Sequence, residues 1–178
     1  MVTPTDRALV ERLAAGDPGA LEELISRHGP SLMRFAAHFL RSTADADEVL
    51  QDVFLRADRA IRRGVRPERL AGWLFRITVN RCRSRRRRWW PFVSSAASEL
   101  VLASTASAPE TEAREWREEI DRSVAQLSPM LREAFLLKHV EGMSYQEMSD
   151  VTGASIPALK MRVARACDQL RASLSPAR

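Results

Sequence analysis

Ser144 is followed three residues later by Glu147, with Gly153 and Ser155 close behind, and this spacing most narrows what the chain can build. A serine hydroxyl at a helix start accepts from the backbone N–H three residues on, and a glutamate at that position reaches back to the serine N–H, forming a capping box. Met143 and Met148 hold the flanking positions of a hydrophobic staple, so a short helix begins at Ser144. Gly153 supplies the backbone freedom for a tight turn, Ser155 can cap the next helix, and Pro157 falls in its tolerant first turn. At about 100° per residue, Ile156, Leu159, Val163, Ala166 and Leu170 share one face of a helix running to about Arg171. Pro157, Ala158, Met161, Arg165 and Asp168 point the opposite way, flanked by Lys160 and Arg162. The result is a helix-turn-helix whose second member suits a DNA major groove, with cations on phosphates and the outer residues near base edges. An ordinary helical hairpin with a solvated basic face has the same pattern.

The remaining apolar residues also recur at helical rather than alternating spacing, and β-branched runs are short, so the expected fold class is all-α. Helical patterns cover 6–15, 18–28, 30–40, 45–61 and 67 to about 89, separated by Gly, Pro or a capping Asp or Ser. Four more cover 110–126, 129–140, 144–151 and 156–173. Between the sets, 91–109 carries five serines, one acid (Glu99) and no basic residue, the composition of an extended linker. Two small helical domains, 1–90 and 110–178, joined by a flexible linker at 91–109, are therefore expected, the second containing the helix-turn-helix. A loop closing one larger domain is the alternative.

The chain carries a net charge of +5, and of its 28 basic residues only Lys138 and Lys160 are lysines. Arginine dominance favours planar, bidentate contacts to phosphate or carboxylate, although a general bias toward arginine codons leaves the same mark. Cys82 and Cys167 lie far apart without metal-ligand spacing, which argues against a disulfide framework or a zinc site and fits a reducing cytosol. The first fifteen residues lack a signal-peptide core, and no stretch approaches the roughly eighteen apolar residues of a membrane span. A cytoplasmic protein with no direct membrane insertion is expected.

Two constellations in the first half carry further chemistry. In 45–61, Val49, Leu50, Val53, Phe54, Ala57 and Ile61 share one side, while Glu48, Gln51, Asp52, Leu55 and Arg59 share the other. An acidic strip in a basic chain is either a solvated face or a docking surface anchored by the apolar Leu55. The next helix opens with Leu70, Trp73, Leu74 and Ile77 and ends in Arg81, Arg83, Arg85, Arg86, Arg87 and Arg88, a run too dense to be buried. It would be drawn to a polyanion, or fray as a solvated helix end beside the C-terminal dipole. Asn80 stands where the stripe gives way to the arginines, and its amide can both donate to and accept from a base edge. His28, His38 and His139 are scattered, and no nucleophile motif, paired acid and base, or phosphate-binding glycine loop appears. No enzyme, cofactor, metal or small-molecule substrate is expected.

Three blocks in order, 45–57, 72–80 (Gly-Trp-Leu-Phe-Arg-Ile-Thr-Val-Asn) and Leu127-Ser128-Pro129 through Met148, resemble the extracytoplasmic-function sigma factors of bacterial RNA polymerase. The resemblance spans 6–88 and 110–171. It implies that the first domain grips the clamp coiled coil of the polymerase β′ subunit through Asp45, Glu48, Gln51, Asp52 and Leu55. It implies that the following helix melts the −10 element, with Asn80 holding a flipped non-template base and Arg76, Arg81 and Arg83 on the strand backbone. The linker would thread toward the RNA exit path. The second domain would dock on the β flap and read the −35 element through Ser155, Ala158, Lys160, Met161, Arg162 and Arg165. An anti-sigma factor completes the implied partners.

The chain departs from the family pattern at two places. Many members carry Gly-Thr-Val-Lys-Ser-Arg where this chain has Pro157-Ala158-Leu159-Lys160-Met161-Arg162, so Ala158 and Met161 favour thymine methyls or a different −35 sequence. An acidic residue common a few positions after the Asn is here Ser84. A free-standing helix-turn-helix regulator would leave the acidic strip and Asn80 unexplained, and a decoy for an anti-sigma factor would have no use for Lys160, Arg162 and the arginine run.

Overall fold

The computed structural model describes residues 4–89 and 111–174. The segment 91–109, expected to be a linker, lies outside them. The described residues form α1 (Pro4–Ala14), α2 (Pro18–Leu40), α3 (Thr43–Arg62), α4 (Leu70–Trp89), α5 (Thr111–Gln126), α6 (Pro129–Phe135), α7 (Tyr145–Thr152) and α8 (Ile156–Leu174). No strand occurs among them, as the apolar periodicity predicts.

The first body is a four-helix packing in which α2 runs along α3, α4 packs on both, and α1 closes the side formed by α2 and α3. Its core is built from Leu24, Leu32, Phe35, Val53, Ile61, Leu74 and Val79, each almost wholly buried. The expected break at Pro30 does not occur: α2 is continuous from Asp17, whose side chain caps it by accepting from Gly19 N, to Arg41. A proline inside a helix costs about 3 kcal/mol through its missing donor and ring clash. Burying one Leu or Phe returns about 1.5–3 kcal/mol, and α2 buries Ala20 and Leu24 before the proline and Leu32, Phe35 and Phe39 after it. Both halves are held against the same neighbours, so packing outweighs the local penalty. Similarly, α3 begins at Thr43 rather than Asp45, because Ser42 caps it by accepting from Asp45 N at 3.1 Å.

The second body wraps α5, α6 and α7 around α8. The expected regular helix to Val140 is instead α6 followed by a π-helical turn, Leu136–Val140, closed by Glu141 N donating to Leu136 O at 3.0 Å. The wider turn lets the consecutive Leu136 and Leu137 both face inward. The two bodies are docked on each other, chiefly α7 on α4, with α2 reaching α5, α6 and the π turn.

Candidate nucleic-acid and polymerase interfaces

The first helix and the turn of the helix-turn-helix are built as their residues dictate. Ser144 Oγ accepts from Glu147 N at 3.2 Å, and the Glu147 carboxylate accepts from Ser144 N at 2.8 Å. Those contacts with Ser144, and the neighbouring Arg69, hold the Glu147 carboxyl below its ordinary range. Gly153 adopts φ 73°, the left-handed conformation that ends α7, and Ser149 Oγ ties the turn by donating to Ala154 O at 2.8 Å. From α8, Leu159, Val163, Ala166 and Leu170 are buried, as their spacing predicts. Ser155, Lys160, Met161 and Arg165 are exposed, and Ala158 and Arg162 are half-buried at the edge of the same face. Met161 stands 53% exposed at its centre, an apolar side chain held out toward solvent.

On α4 the core side is broader than the stripe read from sequence. Phe75, Thr78, Val79 and Cys82 are buried alongside Leu70 and Leu74, whereas Trp73 and Ile77 are only partly buried. Thr78 satisfies its hydroxyl by donating to Leu74 O at 2.9 Å, and burial pushes the Cys82 thiol up to about 12. Asn80 and Arg76 are exposed.

The arginine run is not the uniformly solvated tail expected from its density. Arg81 and Arg85 lie one turn apart and face α3: Arg81 Nε is 2.5 Å from Asp52 Oδ2, and Arg85 pairs with Glu48 and, at 3.0 Å from Nε, with Asp45. Arg83 points the other way, because two residues along a helix is a turn of about 200°. It donates to both carboxylate oxygens of Glu133, at 2.8 and 2.7 Å, and to Thr152 O at 3.2 Å. Carboxylates on two neighbouring helices therefore permit the part-burial that density alone forbids.

The five α3 candidates accordingly fall into two sets. Asp45, Glu48 and Asp52 face the α4 arginines, while Gln51 and Leu55 face outward. Leu55, 50% exposed, and Ile25, 42% exposed, border an apolar groove of about 780 Å³ between α2 and α3, floored by Leu50 and Phe54.

Sequence reasoning missed the residues that hold the bodies together. Arg34 reaches both Glu141 oxygens at 3.0 and 2.9 Å, and Arg69 pairs with Glu147. Among the described residues Arg132 is buried without a carboxylate partner. Its guanidinium donates to Val124 O at 3.1 Å, Leu127 O at 3.0 Å and Ala125 O at the end of α5, and to Phe39 O at 3.1 Å at the end of α2. One cation thus satisfies orphan carbonyls, and meets the negative dipole ends, of two helices from different bodies. Burial, then the nearby Arg41 and Arg86, lowers its pKa to about 10. These partners are up to 107 residues apart in the chain, and no local pattern announces them.

The family sequence model described as Sigma-70 region 2 matches residues 24–91, and that described as Sigma-70, region 4 matches residues 117–170. RNA polymerase sigma factor NccH of Alcaligenes xylosoxydans xylosoxydans is 34% identical over 175 residues, covering 95% of this chain and 94% of that protein. The chain belongs to the extracytoplasmic-function sigma factors. As such it binds core RNA polymerase and directs promoter-specific transcription initiation. Sigma factor CarQ of Myxococcus xanthus is 32% identical over 162 residues, covering 91% of this chain and 93% of that one. The solved structure of CnrH in complex with the cytosolic domain of CnrY superposes with a TM-score of 0.70 at 29% identity, covering 97% of this sigma factor and 99% of that chain. No helix among the described residues is long and apolar enough to cross a membrane.

Proposed function

We propose that residues 1–90 act as region 2, 91–109 as the linker and 110–178 as region 4, each body carrying one half of promoter recognition. In this reading α8 enters the major groove of the −35 element, with Lys160, Arg162 and Arg165 on phosphates and Ser155, Ala158 and Met161 near base edges. Asn80 holds an unstacked non-template base of the −10 element, and Arg76, Arg81 and Arg83 line the strand backbone. Capture of such bases offsets roughly a few kcal/mol of unpairing each, so melting proceeds without a covalent reaction. The carrying observation is that Asn80 and the outer side of α8 are both solvent-facing while the opposite faces of their helices are buried.

Gln51 and Leu55, with Asp45, Glu48 and Asp52 behind them, form the seat for the β′ clamp coiled coil, and region 4 docks on the β flap. The exposed Leu55 beside an apolar groove supports this assignment, because an apolar anchor ringed by polar groups suits a helical partner. CnrH was solved with the cytosolic domain of CnrY, which supports a comparable protein partner, an anti-sigma factor, meeting this chain in the cytoplasm. Runoff transcription with purified core polymerase on a randomised promoter library tests the reading. Enrichment of a bipartite motif is expected, and failure to direct any initiation overturns it. Tight sequence-specific binding by the chain alone would favour a free-standing regulator.

A further inference from the structure

Between the docked bodies lies a cleft of about 930 Å³ that neither body could form alone. Asn80, Ser84 and Arg87 line it from α4 and Arg162 from α8, and Phe39 and Met130 add apolar wall from α2 and α6. Its volume falls within the roughly 300–1,000 Å³ of small-ligand sites. The single carboxylate in its lining, Glu133, is spoken for by both arms of the Arg83 fork. Among the described residues neither Arg87 nor Arg162 is paired with a carboxylate; Arg87 only donates to Ser84 Oγ at 3.4 Å.

We propose that this cleft binds a free nucleoside polyphosphate when the sigma factor is closed. Two guanidinium forks from opposite walls suit phosphate oxygens, which arginine takes in bidentate fashion. The Asn80 amide offers a donor and an acceptor to a base edge. Met130, 60% exposed at the rim, offers an adaptable apolar contact for the face of the base. Because the arginines come from different bodies, binding and closure are linked: the ligand favours the docked form by as much as it prefers it. A nucleotide seated there also occupies Asn80, and, resting on the proposed role of that residue, would withhold it from promoter DNA.

The test uses the full chain without polymerase, so that its failure is distinct from failure of the promoter reading. Equilibrium dialysis with ATP, GTP and inorganic tripolyphosphate should give one saturable site, with tripolyphosphate weaker by about tenfold because it lacks a base. Arg87→Ala and Arg162→Ala should each weaken nucleotide binding by about tenfold or more, with unchanged circular dichroism since both side chains reach solvent. Arg165→Ala, on the same helix but outside the cleft lining, should leave it unchanged. Equal loss in Arg165→Ala, equal affinity for tripolyphosphate, or no saturable binding would each overturn the proposal.

Discussion

Arg83 and Glu133, fifty residues apart, form a two-pronged ion pair at 2.7 and 2.8 Å that fastens the arginine-rich end of α4 to α6. The carboxylate is buried, and the arginine is one of the residues assigned to the −10 strand. In the closed chain, therefore, a cation proposed for the DNA strand is held by the other body.

Removing the carboxylate should loosen the closed form. Between the values for surface and buried pairs, Glu133→Gln is expected to cost about 1–3 kcal/mol and to lengthen the distance between the bodies. Small-angle scattering of the free chain reads that change. The exchanged pair, Arg83→Glu with Glu133→Arg, should restore compaction, and no rescue would mean that the pair merely fills space.

Mild acid should weaken the fold. Burial holds the imidazoles of His28 and His38 below their ordinary value of about 6.5. Asp6 works against that burial and Arg27 with it at His28; at His38, Asp121 opposes while Arg34 and Arg132 add. From about pH 6.5 down to the lowered folded values, the unfolded chain takes up protons that the folded one refuses, so stability falls with pH and then levels off. Asp121, raised by burial, acts in the opposite sense, but from the carboxylate range upward, so the first loss belongs to the histidines. Melting temperature should drop by roughly a few degrees on acidification just below neutrality, and His38→Gln should flatten that drop.

Leu55→Asp should weaken binding to core polymerase by about tenfold or more, as expected for loss of an apolar anchor. Its half-exposed side chain predicts little change in melting temperature. Fluorescence anisotropy with purified core reads the affinity. Glu48 and Asp52 are poorer probes, since reversing their charge also breaks pairs with Arg85 and Arg81.

Asn80→Ala should reduce open-complex formation while leaving core binding nearly intact, losing about 1–3 kcal/mol of base discrimination. Permanganate reactivity of the −10 thymines, set beside a core-binding measurement, separates the two. Equal loss in both would make Asn80 a structural residue.

The elements that read clearly from the chain are those whose causes lie within a few residues. The Ser144–Glu147 capping box, the Gly153 turn and the buried face of α8 depend only on local hydrogen bonds and a 3.6-residue period, and they stand where that logic puts them. Asn80 and Met161 were likewise legible as outward-facing residues. What tertiary structure alone decided is which long-range partners those helices meet. Pro30 stays inside α2 because packing on both sides outweighs a missing donor; Leu136 and Leu137 both turn inward through a π turn; and the arginines of α4 divide, Arg81 and Arg85 to α3 of their own body and Arg83 to α6 of the other. Arg132 shows the reason most plainly: it is buried because carbonyls from the ends of α2 and α5 converge on it, and convergence across ninety-three residues has no local periodicity from which to be read.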